Sequence, residues 1–208
     1  MTFDKRVKIE KHAFTIKNQA IKNVNSFKYL GLTVSSKTCS FTKTIIDLGT
    51  KASRALFGLK TNLNLLKMPI KLLLKLFDTM IAPILLYGTE VWLASGKFTF
   101  DNWDKTDIER VQTSLLKQYV GVNRSTQNNM VRSEFGRLPL IINAHSRVWN
   151  FTKYLNKKPT ESLAKKAYDI DSSLKNEDSL YRDCDKIYRD IITKNIKKRK
   201  RSNQYGKK

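Results

Sequence analysis

The densest set of side chains able to do acid–base or metal chemistry is Asp101, Asp104, Asp107 and Glu109. Carboxylate oxygens suit a hard divalent cation such as Mg²⁺, which can organise phosphoryl transfer. The same acids fall where a helix is expected to begin, and the positive end of a helix dipole favours them without any metal; that simpler explanation is preferred. His12 and His145 stand far apart and belong to no His-containing metal motif. Cys39 and Cys184 have no CxxC context and are too few for a disulfide scaffold or a multi-Cys zinc site. Gly88 and Gly96 are isolated, and Gly49 and Gly58 fall inside a helical pattern, so there is no phosphate-cradling loop. No catalytic constellation results. Neither enzymatic activity nor a cofactor is expected of this chain.

Charge is more informative. The 208 residues hold 40 Lys and Arg against 18 Asp and Glu, a formal net charge of +22. The tail from 194 to 208 contains Lys197, Lys198, Arg199, Lys200 and Arg201 and no acid, and the rest of the chain is basic as well. Such a body repels itself unless its working partner is a polyanion, and nucleic acid is the leading candidate. An acidic membrane surface comes second, disfavoured because the tail lacks the Trp, Phe or Leu that an inserting helix interleaves with its cations. The run 197–201 is similar to a nuclear-import signal, which favours a nuclear over a cytoplasmic location. A frayed basic terminus that aids solubility explains it equally well. Residues 1–10 contain no signal-length apolar run, and Met80–Leu86 falls far short of the ~20 apolar residues of a membrane span. Neither secretion nor a membrane partner is expected.

Hydrophobic residues make up 40% of the chain, enough material for a real core. Patterning predicts a mainly α protein in which a small antiparallel β-hairpin or meander at 10–36 is followed by a helical bundle. The bundle spans 40–158, with further C-terminal helices at 159–193 and a disordered basic tail at 194–208. Phe27 to Val34 alternates as one strand with a bulge or close backbone approach at Gly31. Ile45, Leu48, Ala52, Ala55, Leu56, Leu59, Leu63 and Leu66 form a helical stripe, with Ser40 or Thr42 able to cap its start. A second helix is expected from Ile70 to about Trp92, kinked at Pro83. Lys97 to Trp103 reads as a loop. Asp107 to Val120 reads as a helix capped by Asp104 or Thr106 and stopped by Gly121. Shorter helices follow from Ser125 or Thr126 to Phe135, from Leu140 to Leu155, after Thr160-Glu161, and around Leu180 to Ile191.

Several stretches bear a family likeness. Ser26-Phe-Lys-Tyr-Leu-Gly-Leu-Thr-Val34 resembles the segment just after the catalytic core in reverse transcriptases of non-LTR (long-interspersed-element type) retrotransposons. Lys51-Ala-Ser-Arg-Ala-Leu-Phe-Gly-Leu-Lys60 resembles the first helix of their thumb, and Leu76 to Trp92 resembles their proline-broken helix. Ile108 to Gly121 and Val131 to Leu140 are similar to the region beyond it. Together these cover about residues 10–155 in the family's order.

The resemblance implies that Phe27, Lys28, Tyr29, Leu30 and Gly31 form a primer grip and that the following helices form a thumb on a template–primer duplex. Bottom-up chemistry agrees: Gly31 permits close backbone approach, Tyr29 offers a stacking face, and Lys28 can meet a phosphate. Backbone contacts are further expected from Lys51, Arg54, Lys60, Arg124, Arg132, Arg137 and the basic tail, toward an RNA–DNA hybrid, RNA or DNA. The intact family enzyme uses Mg, normally held in part by a Tyr-x-Asp-Asp turn, and this sequence has no such tetrapeptide. Fingers and palm would precede residue 1, so the chain by itself is not expected to synthesise DNA. A second reading is a helical interaction module that binds an intact polymerase, or itself, through apolar surface around Phe77, Leu85 and Trp92. A functionless retroelement remnant is the third.

Overall fold

Two tight antiparallel pairs lead the chain into its helices. The computed structural model describes residues 15–17, 19–20, 24–35, 41–93, 98 and 100–173. In order come β1 (Thr15–Ile16), β2 (Gln19–Ala20), β3 (Ser26–Tyr29), β4 (Leu32–Ser35), α1 (Thr42–Asn62) and a 3₁₀ turn at Leu65–Lys67. Then follow α2 (Ile70–Leu76), a π-helical turn (Phe77–Ile81), α3 (Ala82–Leu85), α4 (Thr89–Trp92) and α5 (Phe100–Trp103). The described part closes with α6 (Asp107–Val120), α7 (Asn128–Glu134), α8 (Leu140–Lys157) and α9 (Leu163–Ser173). The class is the expected one, a small antiparallel β region followed by a mainly helical bundle. Two compact units result, one from the chain up to Gly88 together with Lys105–Phe135, the other from Thr89–Asp104 and the chain from Gly136. The helix expected around Leu180 to Ile191 and the tail lie outside the described residues, as do His12, Cys39 and Cys184.

In the first unit, Phe27 to Val34 is not one bulged strand. β3 and β4 pair antiparallel, Phe27 opposite Val34, Lys28 opposite Thr33 and Tyr29 opposite Leu32. Leu30 and Gly31 form the turn with φ of 46° and 85°. A two-residue hairpin loop with positive φ at both positions matches the natural strand twist. Glycine adopts it freely, whereas for Leu30 it costs about 1–2 kcal/mol. The Tyr87 hydroxyl donates to the Leu30 carbonyl at 2.9 Å and helps hold the turn.

The outer side of β4 is completed by a helix side chain. In this register Lys28–Thr33 is a pair whose backbone groups point away from each other. The Thr33 N–H donates to Thr44 Oγ1 at 2.7 Å, and the Thr44 hydroxyl donates back to the Thr33 carbonyl at 2.8 Å. Thr44 thus replaces a neighbouring strand, while Leu32 and Thr33 are buried. Thr42 does not cap α1, since Phe41 occupies the cap position without a side-chain bond, and Ser40 lies outside the described residues.

Ile45, Leu48, Ala52 and Leu56 bury the α1 stripe as expected, but the helix ends at Asn62 and leaves Leu63 exposed. The expected kink at Pro83 takes the form of the π turn just before it. Proline has no N–H for the i−4 carbonyl and its ring crowds that carbonyl. The chain shifts register, and the Ala82 N–H reaches the Phe77 carbonyl. Leu86 to Gly88 then breaks the helix that the sequence carries on to Trp92. α6 matches its expected bounds: Thr106 Oγ1 accepts from the Glu109 N–H, and Gly121 at φ 76° ends it.

In the second unit the expected loop before Asp104 contains α5. Its Trp103 stacks on Trp92 with centroids 6.3 Å apart, and Phe98 meets both rings edge-on. Leu140, Ile141, Ala144, Val148 and Leu155 give α8 its buried side. Ser162 Oγ accepts from the Lys165 N–H at the start of α9. His145 is buried on α8, and loss of solvation pushes its pKa down to about 4.

Two outcomes follow. Thr44→Val keeps the shape but strands two buried backbone groups, and should cost about 2–4 kcal/mol in a urea titration, with Thr44→Ser recovering most of it. Between pH 6.5 and 4 an unfolded chain protonates its histidine while the folded one excludes the proton, so His145 makes stability fall as pH drops through that window. His145→Leu should flatten this part of the stability–pH curve.

Candidate nucleic-acid interface

Helix α1 places the expected cations. From 42 to 75 the chain carries seven Lys and Arg and a single acid, Asp47. Lys43, Lys51, Arg54, Lys67, Lys71 and Lys75 are exposed. At about 100° per residue, Lys51 and Lys60 lie half a turn apart and face opposite flanks of α1.

On one flank a groove of about 440 Å³ is lined by Leu30, Gly31, Leu48, Lys51, Pro83, Ile84 and Tyr87. The hairpin turn and Lys51, distant in sequence, therefore share a surface. The close approach expected at Gly31 is real but is made by Tyr87, whose Cε1 would lie 3.2 Å from a Cβ there. Phe27, Lys28, Tyr29 and Leu30 are all exposed, the last two at 65% and 73%.

On the other flank, α1 and α6 border a groove of about 660 Å³ whose lining includes Arg54, Phe57, Lys60, Asp107 and Arg110. Lys60 Nζ donates to Gln118 Oε1 across it, and partial burial holds its pKa below the usual lysine value. Arg110 lies 3.2 Å from Asp107. Phe57 stands 69% exposed beside these cations. Sequence reasoning missed both Phe57 and Arg110. Phe57 had a readable signal, an aromatic off the apolar stripe and three residues from Arg54 and Lys60.

Other expected contacts fare differently. Arg124 is exposed in the loop after α6, and its carbonyl accepts from Lys117 Nζ at 2.8 Å. Arg137 is half-buried in the second unit. Lys197, Lys198, Arg199, Lys200 and Arg201 lie outside the described residues. Arg132 is a correction, because it is not a surface cation. Its guanidinium donates to Glu109 Oε1 at 2.7 Å, with side-chain exposures of 4% and 0%, and also to Asn129 Oδ1. Gln112 Nε2 donates to the same Glu109 oxygen at 3.3 Å.

Two members of the acidic cluster have other uses. Asp107 pairs with Arg110 and Glu109 with Arg132, and no group of three or more potential metal ligands occurs among the described residues. The apolar surface expected around Phe77, Leu85 and Trp92 is also corrected, since all three side chains are buried. No described helix is long and apolar enough to cross a membrane. No protein-family model, curated protein or solved structure matches the chain.

Removing one partner of a buried ion pair leaves the other charge uncompensated, so Arg132→Met should cost about 3–5 kcal/mol in denaturant unfolding. The double change Arg132→Met with Glu109→Leu should recover much of that loss.

Proposed function

We propose that the chain binds nucleic acid without sequence preference, as the primer-grip and thumb part of a non-LTR retrotransposon reverse transcriptase that carries none of the polymerase aspartates. The observation that carries this reading is the disposition of α1. One helix offers Lys51 to the groove beside the hairpin turn, and Arg54 and Lys60 to the groove along α6. Phosphate backbones are bound by such spaced, solvent-reachable cations, which position the strand without reading its bases. The hairpin at Ser26–Ser35 also has the form that the family resemblance implies for a primer grip. Exposed Tyr29 adds a stacking face and exposed Lys28 a charge to the same hairpin.

Titration of an RNA–DNA hybrid at several salt concentrations tests the reading. Log affinity should fall linearly with log salt, and replacing Lys51, Arg54 or Lys60 by Ala should each reduce the slope by about 0.7–0.9. A flat salt response contradicts the proposal. So does a slope that survives the triple replacement and vanishes on removal of 194–208, which would move binding to the tail.

A further inference from the structure

The groove along α6 has features that a duplex cannot use. A paired base exposes only its edges, whereas the Phe57 ring is an exposed flat face beside Arg54 and Lys60. An aromatic face set among cations is the pairing that holds unpaired nucleotides, since every base has a stackable surface and every linkage a negative charge. At about 660 Å³ the groove has the size of a small-molecule site, with room for about one or two nucleotides. Thr50, Ser53 and Ser114 add hydroxyls to the lining. The one acid in it, Asp107, is engaged by Arg110 at 3.2 Å, which leaves Arg54 and Lys60 as the phosphate end.

From this arrangement we infer that the α1–α6 groove is a site for an unpaired stretch of nucleic acid, one base stacked on Phe57 and its flanking phosphates on Arg54 and Lys60. The inference rests on the nucleic-acid reading above and narrows it: Arg54 and Lys60 meet the phosphates of either form, and only an unpaired base can lay its face on Phe57. Phe57 is mostly exposed, so its replacement leaves the core intact.

Fluorescence anisotropy with labelled oligo(dT) and with an RNA–DNA hybrid, on the full chain, separates the two levels. Phe57→Leu should weaken oligo(dT) binding about five-fold or more while leaving hybrid affinity within two-fold. Phe57→Trp should retain oligo(dT) binding, and its added indole emission should be quenched on saturation. If Phe57→Leu binds oligo(dT) as the parent does, or loses hybrid and single strand equally, the single-strand site is overturned although the nucleic-acid reading stands. If the parent binds neither probe, both fall together.

Discussion

A Cβ at Gly49 would lie 2.8 Å from Asp107 Cβ and 3.3 Å from the Asp107 backbone carbonyl, a separation that real side chains do not tolerate. Here α1 and the start of α6 touch almost backbone to backbone, and that contact defines the groove beside it. Beyond Gly49 the groove is bordered by Thr50, Ser53, Arg54, Phe57 and Lys60 from one helix and Arg110, Val111 and Ser114 from the other. Helix–helix contact at a small residue commonly brings axes close. In this chain it also brings cations from two distant parts of the sequence onto one surface. The cost is a glycine inside a helix, about 1 kcal/mol relative to alanine.

The first unit spends its cations in two ways. Arg132 is taken inward, where its ion pair with Glu109 fastens α7 to α6 and removes it from any ligand. Lys51 and Arg54 stay in water on α1, whose opposite side is closed by Ile45, Leu48, Ala52 and Leu56. The same helix fixes the hairpin through Thr44, so the turn at Leu30–Gly31 and the cations of α1 share one support. That common support, rather than net charge alone, distinguishes a built surface from a merely basic protein.

Local signals in the sequence were sufficient where the structure itself is local. α6 was legible to the residue because a threonine cap, an apolar period and a terminal glycine all agree over fourteen positions. The β3–β4 hairpin was not, because its turn has Leu rather than Asn or Asp before Gly31, and alternation runs straight through a two-residue loop. The π turn ahead of Pro83 and the break at Gly88 were legible only as a kink. Arg132 could not be told from a surface arginine, since its partner lies 23 residues away on another helix. The grooves joining Lys51 to the hairpin turn and Arg54 to Arg110 are tertiary facts, set by packing between elements that periodicity reads one at a time.

On the proposed function, nucleic acid is held by α1 and the elements it supports. Photo-crosslinking the intact chain to a 4-thiothymidine-containing template–primer, followed by peptide mapping, addresses it directly. Crosslinks should concentrate in peptides from 26–35, 42–62 and 107–120. Crosslinks confined to 194–208, or to α8 and α9, would contradict it.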